Sequence, residues 1–225
     1  MSSTTLFRLS GIVLILAAML GIVANVATTL IFPDTSPTVP PSAVMSAAWG
    51  PLWIMSFISG VFFLFGLVGL YLRQAQRAGF VGLLGFVLTF LGFLFPYVVA
   101  GFFFMSVLPY LAPRGSTVIQ DSFSTVVLFG LGGGILLFLG TILLGISIIR
   151  AGVFPRLAGI LVIIGGMLSP AAILGLNVIV SLIGSLATIL FMLGLAWAGS
   201  LLFSRSESTV GQAQPSPTAT SSARS

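Results

Sequence analysis

The sequence predicts an all-α protein, a polytopic transmembrane helix bundle with six spanning helices and both termini in the cytoplasm. Hydrophobic residues make up 58% of the 225-residue chain, and charged residues only 5%, with a mean hydropathy of +1.25. Long runs contain no ionisable residue, and arginines lie between them. A soluble domain carries roughly 25% charged residues, so hydrocarbon is the predicted solvent for most of this chain.

The few charges are unusual in kind. The eight basic residues are all arginine, the three acidic residues are Asp34, Asp121 and Glu207, and the chain has no Cys, His or Lys. Disulfides and thiolate metal sites are therefore excluded. The net charge of +5 is compatible with nucleic-acid binding. However, the arginines are scattered in ones and twos beside apolar runs and are interpreted as topology signals, so no nucleic-acid partner is predicted.

The first span is predicted at residues 10–32, after a short cytoplasmic N-terminus at 1–9. A crossing needs about 20 apolar residues, which this run supplies. A cleaved signal peptide is the alternative, but its apolar core is usually about 7–15 residues and follows a more basic start. The Pro-, Ser- and Thr-rich residues 33–46 predict an aqueous loop.

The second span is predicted at residues 47–72. Trp49 and Trp53 lie near its start, where lipid-facing aromatic anchors are common. Residues 73–77 (Arg-Gln-Ala-Gln-Arg) predict the first basic loop.

The third span is predicted at residues 79–104, with a bend at Pro96. The uncharged run continues to Leu111, too long for one straight crossing and too short for two. Residues 97–112 are therefore expected to lie along the interface or to tilt, with an aqueous loop at 114–122.

Three more spans are predicted at residues 123–149, 157–174 and 178–203. The last two need a tight turn at 174–177, with Pro170 bending the helix before it. Residues 204–225 are polar and predict a disordered cytoplasmic tail.

Small residues at four-residue spacing predict close helix packing, because they let two backbones approach. A phosphate-binding glycine loop is the alternative at the first of these positions, but no Lys-Ser/Thr follows it. The predicted packing residues are Gly130 and Gly134, Ser181 and Ser185, and Gly194 and Ala198.

The arginines predict the orientation. In a six-helix chain, Arg114 lies alone on one side, and the positive-inside rule assigns the other side to the cytoplasm. A five-helix chain would divide the arginines more evenly, so the asymmetry favours six. The topology-determining residues are Arg8, Arg73, Arg77, Arg150, Arg156 and Arg205.

A faint repeat of 74 residues aligns the second and third helices with the fourth and fifth, as in some transporters. Chance or generic membrane composition is the favoured explanation, because glycine is abundant and apolar matches are common in membrane segments. The aligned residues are Gly66, Gly85, Gly92 and Pro96 with Gly140, Gly159, Gly166 and Pro170.

No predicted span contains an ionisable residue. Such residues cost at least about 2.5–3.5 kcal/mol in a membrane and usually mark function. No catalytic residue, metal ligand set or cofactor is therefore predicted. Neutral polar residues remain, and they are expected to form helix contacts or, alternatively, a small polar pathway: Asn25, Thr28, Thr29, Ser56, Ser59, Thr89, Ser181, Ser185 and Thr188.

The segments Gly69–Arg73 (Gly-Leu-Tyr-Leu-Arg) and Arg150–Gly159 (Arg-Ala-Gly-x-x-Pro-Arg-x-Ala-Gly) resemble the basic loops of uncharacterised bacterial multi-pass membrane proteins. The resemblance covers the second to fifth helices. It implies fold and membrane location and carries no activity.

The functional expectation is therefore a non-enzymatic structural, assembly or regulatory component of the bacterial plasma membrane. Its expected partners are membrane lipids and a second copy or another membrane protein. A transporter or channel for a neutral or apolar solute is the alternative, and an enzyme acting on lipids through Arg and Asp34 or Asp121 is the least favoured.

Overall fold

The computed structural model describes the backbone of residues 3–32, 40–114, 116–169 and 178–211, and their side chains except at 3–4, 116–127, 129, 178 and 205–211. Nearly all of this described chain is helical. Four of its stretches are long and apolar enough to cross a membrane, which supports the predicted all-α membrane bundle. These stretches are Thr5–Ile31, Trp49–Arg114, Gly130–Ala151 and Ile179–Ser204.

Eight α-helices follow one another along the described chain. They are α1 (Ser3–Ile31), α2 (Pro41–Val44), α3 (Trp49–Phe93), α4 (Ala100–Phe102), α5 (Leu108–Leu111), α6 (Ser116–Ala151), α7 (Arg156–Leu168) and α8 (Val178–Gly211). Two π-helices, Leu94–Val99 and Phe103–Val107, and a 3-10 turn, Ala112–Arg114, complete the path from α3 to α6.

A sharp reversal divides α3 at Gly79, whose φ of 58° and ψ of −161° are not helical. Only glycine adopts this backbone geometry readily. We call residues 49–78 the first arm and residues 80–114 the second arm. Stacking of Tyr71 on Phe86 and of Trp53 on Phe104 shows that the arms run antiparallel. Residues 73–77, expected to form a loop, are instead the helical end of the first arm.

The second arm continues ten residues beyond the predicted end of the third span at residue 104 and reaches Arg114. Pro96 lies inside the π-helix Leu94–Val99, where altered hydrogen bonding accommodates a residue without an N–H. Pro109 lies in the first turn of α5, where an N–H is not needed. The prolines therefore perturb this helix without ending it.

Neighbouring helices in the chain pack antiparallel. Gly66 and Gly69 of the first arm face Leu14 and Ser10 of α1, so numbers rise in one helix as they fall in the other. The same pattern joins the second arm to α6, α6 to α7, and α7 to α8.

The last helix returns to the first and closes a ring. Gly11 of α1 faces Gly199 of α8 at one end, and Thr29 lies 3.3 Å from the hydroxyl of Ser185 towards the other. The helices thus contact in the cyclic order α1, first arm, second arm, α6, α7, α8.

Large side chains fill the middle of this ring. Phe63, Phe93 and Phe191 are almost completely buried. The ring centroids of Phe63 and Phe93 are 4.0 Å apart, and those of Phe63 and Phe191 are 5.8 Å apart. Three different helices therefore meet through one aromatic cluster, which we call the central aromatic cluster.

Two helices extend further than predicted. The 36-residue α6 begins at Ser116, within the expected aqueous loop, and is about 54 Å long against roughly 30 Å of hydrocarbon. The last helix, α8, continues to Gly211 rather than ending at residue 203. Polar residues beyond an apolar run can continue a helix when no Pro or Gly interrupts them. Pro170 and the predicted turn at 174–177 lie outside the described residues.

The 74-residue repeat is not matched by equivalent packing. Gly66 and Gly140 both face the preceding helix in the ring. However, Gly85 lies on the second arm and faces the next helix in the ring, α6. Its counterpart Gly159 lies on α7 and faces the previous helix, which is also α6. The aligned glycines therefore do not support two superimposable halves.

Candidate functional site

The neutral polar residues of α1 and α8 lie together on adjoining faces of the two helices. The hydroxyl of Thr29 donates to the carbonyl oxygen of Asn25 at 2.9 Å and lies 3.3 Å from the hydroxyl of Ser185. The hydroxyl of Thr188, one turn further along α8, donates to the Gly184 carbonyl at 2.9 Å. We call this group the polar cluster.

The second arm reaches the polar cluster at Tyr97, whose side chain lies beside that of Thr188. The Tyr97 ring stacks on Phe93 at 4.0 Å between centroids and 13° between planes. The aromatic cluster therefore holds the tyrosine in place beside the polar residues.

Two buried polar atoms in this region have no hydrogen-bond partner among the described residues. They are Oδ1 of Asn25, in the polar cluster, and Oγ of Ser181, one turn before Ser185 on α8. A buried polar atom without a partner costs about 1–3 kcal/mol. One acceptor and one hydroxyl are thus available to a neutral hydrogen-bonding ligand.

Other polar side chains contribute to packing. Ser59 is buried and donates to the Ala17 carbonyl at 2.7 Å, joining the first arm to α1. Thr89 and Ser147 are fully buried at the contact between the second arm and α6, and their hydroxyls have no partner in the described chain. Gln74, 1% exposed, has both amide atoms unpartnered in the described chain.

The predicted packing residues have different surroundings in the structure. A side chain at Gly194 would meet Cβ of Leu161 at 2.8 Å, which brings α8 close to α7, and Ala198 is completely buried. Gly130 and Gly134 are both buried in α6. Ser185 contacts α1 as described, whereas the hydroxyl of Ser181 is one of the unpartnered atoms.

The closest backbone approach involves glycines that were not predicted. A Cβ at Gly85 would lie 2.5 Å from the backbone nitrogen of Leu144, and Cβ atoms at Gly92 and Gly140 would collide with the backbone of Leu137 and Thr89. We call Gly85, Gly92 and Gly140 the glycine seam between the second arm and α6. The spacing of seven between Gly85 and Gly92, and between Gly133 and Gly140, was the available signal.

Trp49 was expected to be a lipid-facing aromatic anchor, and this prediction is wrong. It is only 2% exposed, and its Nε1 donates to the carbonyl of Phe104 at 2.8 Å, so it does not face lipid. The extension of the second arm covers it, and the accepting carbonyl belongs to the π-helix Phe103–Val107. Trp49 and Leu108 pack with Ala43 and Val44 of α2 in a second, smaller hydrophobic core.

The arginines with described side chains lie at the two opposite ends of the helix bundle. Arg8 lies over the ring of Phe203 at 5.2 Å, and Arg73 lies over Phe7 at 5.4 Å, so these helix ends meet. Arg150 and Arg156 flank the α6–α7 turn at the same end, where Gly152 has a φ of 62°. Arg77 follows Arg73 on the first arm, and the Arg205 side chain lies outside the described set.

Arg114 lies at the opposite end of the second arm. Its Nη2 donates to the Tyr110 hydroxyl at 2.7 Å, and its guanidinium carbon lies 4.3 Å from the centroid of that ring.

No protein-family model, curated protein or solved structure matches this chain.

Proposed function

We propose that the chain crosses the bacterial plasma membrane six times, with both termini in the cytoplasm. The antiparallel ring supports six crossings, because the two arms of the α3 hairpin and the α6–α7–α8 path each reverse direction. Arg8 and Arg73 lie at one end and Arg114 at the other. The positive-inside rule then assigns the first end to the cytoplasm.

We further propose that the protein acts as a structural, assembly or regulatory membrane component and not as an enzyme. The observation that carries this proposal is the central aromatic cluster, which fills the middle of the ring with rings from three helices. Such an interior suits a protein that works through its outer surface.

One outer face of α6 offers a site for a second copy or another membrane protein. Leu128 and Ile135 on this face are 70% and 63% exposed, and a Cβ at Gly132 between them would meet nothing within 4 Å. A small residue between large exposed ones lets another helix approach closely.

An Ile135→Cys variant is expected to form a cross-linked adduct in native membranes, because this face of α6 is proposed to contact a partner. The chain has no other cysteine, so any adduct forms at this position. The adduct is measured by mass after treatment with a short bifunctional maleimide. Twice the chain mass indicates a second copy, and any other mass indicates a different protein. Phe65→Cys, equally exposed at 66% on the first arm, is the control. No adduct at Ile135, or equal adducts at both positions, would argue against association through α6.

The alternative function is transport of a neutral or apolar solute, and the polar cluster favours it. The neighbouring Tyr97 and Thr188 side chains and the Asn25 Oδ1, which has no partner among the described residues, place hydrogen-bonding groups beside the ring interior. A solute pathway requires that water reach these groups in at least one state of the protein.

Single-cysteine labelling in intact cells distinguishes these proposals. Ser42→Cys in α2 is expected to react with a membrane-impermeant maleimide from outside. Ser204→Cys, beside Phe203 at the arginine-bearing end, is expected to react only after permeabilisation. Slow reaction of Ser185→Cys under both conditions is expected of a packed bundle, whereas reaction as fast as at Ser42→Cys would favour the transporter. Labelling of Ser204→Cys from outside would overturn the orientation.

A further inference from the structure

The arginines at the proposed cytoplasmic end differ in what they contact. Arg8 and Arg73 lie over aromatic rings. Arg77, Arg150 and Arg156 are exposed, and no described residue forms an ion pair, hydrogen bond or ring contact with them. None of the described side chains is acidic. Within the described part of the chain, these three positive charges have no counter-ion.

These three arginines lie at the same end of the bundle. A Cβ at Gly82, at the start of the second arm, would lie 2.5 Å from Oγ of Ser147 and would also meet Cβ of Ala78, so the start of the second arm lies between the end of the first arm and the end of α6. Arg77 and Arg150 are close in sequence to these contacts. On the other side of α6, a Cβ at Gly159 would lie 2.7 Å from a side-chain carbon of Ile149.

That second contact places the start of α7, with Arg156, beside Arg150. The helix α7 also begins at Arg156, and its N-cap residue Pro155 makes no side-chain capping bond. The positive end of the α7 dipole lies at this level, but the negative ends of the first arm and α6 lie there too. The attraction for an anion therefore comes from the arginine side chains.

Apolar side chains lie directly on the membrane side of these charges. Phe80 follows Gly79 in the second arm and is 76% exposed, and Leu157 follows Arg156 in α7 and is 58% exposed. On both sides of α6, the surface is therefore positive at the end of the bundle and apolar next to it, towards the membrane. A phospholipid has the same order, with a charged headgroup above apolar acyl chains.

We propose that Arg77, Arg150 and Arg156 bind the phosphate of an anionic phospholipid, with its acyl chains against Phe80 and Leu157. Guanidinium groups pair well with phosphate oxygens because they donate two parallel hydrogen bonds. Clustered arginines at the cytoplasmic membrane surface suit anionic headgroups. A soluble phosphate would satisfy the charges but would leave the adjoining apolar side chains without a role, so the lipid is the favoured ligand.

Native mass spectrometry of the full chain in detergent tests the proposal. The probes are phosphatidylglycerol and phosphatidylcholine with the same acyl chains, and inorganic phosphate. The wild type is expected to prefer phosphatidylglycerol. The triple variant Arg77→Gln, Arg150→Gln, Arg156→Gln is expected to lose that preference by about fivefold for each arginine, on the order of a hundredfold in total. The control Arg114→Gln, at the other end, should keep it.

A triple Arg→Lys variant at the same positions keeps the charge. It shows whether a loss of binding in the glutamine variant comes from the missing charge or from misfolding. It should retain a weaker preference, since lysine cannot donate in the bidentate geometry. Unchanged binding in the glutamine variant would overturn the proposal. Phosphate binding as tight as lipid binding would show that the site is a soluble-anion site and would also overturn it.

This inference depends on the membrane placement proposed above, but the two fail differently. Cysteine labelling tests the orientation without regard to lipid, and the lipid measurement is made on purified protein in which orientation plays no part.

Discussion

Replacing Gly92 with alanine is expected to destabilise the bundle by roughly 2–3 kcal/mol, at the upper end of the usual cost of overpacking. The added methyl group would collide with the backbone nitrogen of Leu137 and approach its Cα within 2.6 Å. A flexible side chain can rotate away from such a contact, but the backbone of a helix cannot. The second arm and α6 would have to separate along the whole glycine seam. Unfolding in mixed detergent and sodium dodecyl sulfate micelles, followed by tryptophan fluorescence, measures the change.

Gly50→Ala, near the start of α3, is the matched control, because it adds the same methyl group to a helical glycine at which nothing lies within 4 Å. Alanine favours a helix over glycine by up to about 1 kcal/mol, so this variant should be as stable as the wild type or more stable. Gly140→Ala, on the α6 side of the glycine seam, should repeat the loss seen at Gly92. Equal stability of the Gly92 and Gly50 variants would show that the two helices are not in backbone contact.

Phe63→Ala is expected to lower the free energy of unfolding by about 2 kcal/mol, mainly through the cavity that it leaves. Phe63 is completely buried, and its ring lies 4.0 Å from that of Phe93. Lipid is as apolar as the protein interior, so no large transfer term accompanies the loss. The expected cost is therefore smaller than the roughly 3–5 kcal/mol typical of Phe→Ala in soluble proteins. The same micelle unfolding experiment gives the value.

Phe65→Ala, two residues further along the same helix, provides the comparison. Phe65 is 66% exposed on the outer face of the bundle, so its removal should change stability by only a few tenths of a kcal/mol. The pair therefore reports on burial with residue type and helix held constant. A larger loss at Phe65 than at Phe63 would mean that the first arm is rotated relative to the ring.

The apolar runs were sufficient to predict where most helices lie, because a crossing segment must satisfy its backbone internally and exclude charge. They were insufficient at the helix ends. The residues from Ser116 to Ser122 are mostly polar and were expected to form an aqueous loop, yet α6 begins at Ser116. Hydropathy indicates whether a segment lies in lipid or in water, and it does not indicate whether the segment is helical. A helix that continues beyond the membrane into water therefore has the same polar composition as a loop.

Trp49 shows a second limit of sequence reasoning. A tryptophan near the start of an apolar run is usually an interfacial anchor, but the residues that bury Trp49 are distant in sequence and include Phe104. The covering segment passes through two π-helices, which no periodicity in the sequence indicated. Burial by a distant segment cannot be read from the local pattern.

The glycines show a third limit. Gly130 and Gly134 were predicted from their spacing of four, whereas Gly85, Gly92 and Gly140 make the backbone contacts of the glycine seam. Both spacings are present in the sequence, and each places small residues on one helix face. Which face meets another helix depends on the order of helices around the ring, and the sequence alone did not reveal this.

The closed cyclic order of the helices has a consequence for biosynthesis. Each helix from the first arm to α8 packs against the one made just before it, but α1 must wait for α8 to complete its second contact. While the ribosome is still translating the chain, the face of α1 that carries Thr29 has only lipid or an insertase to cover it. Nascent chains arrested before residue 178 should therefore stay bound to the insertion machinery through α1, and release should coincide with the emergence of α8.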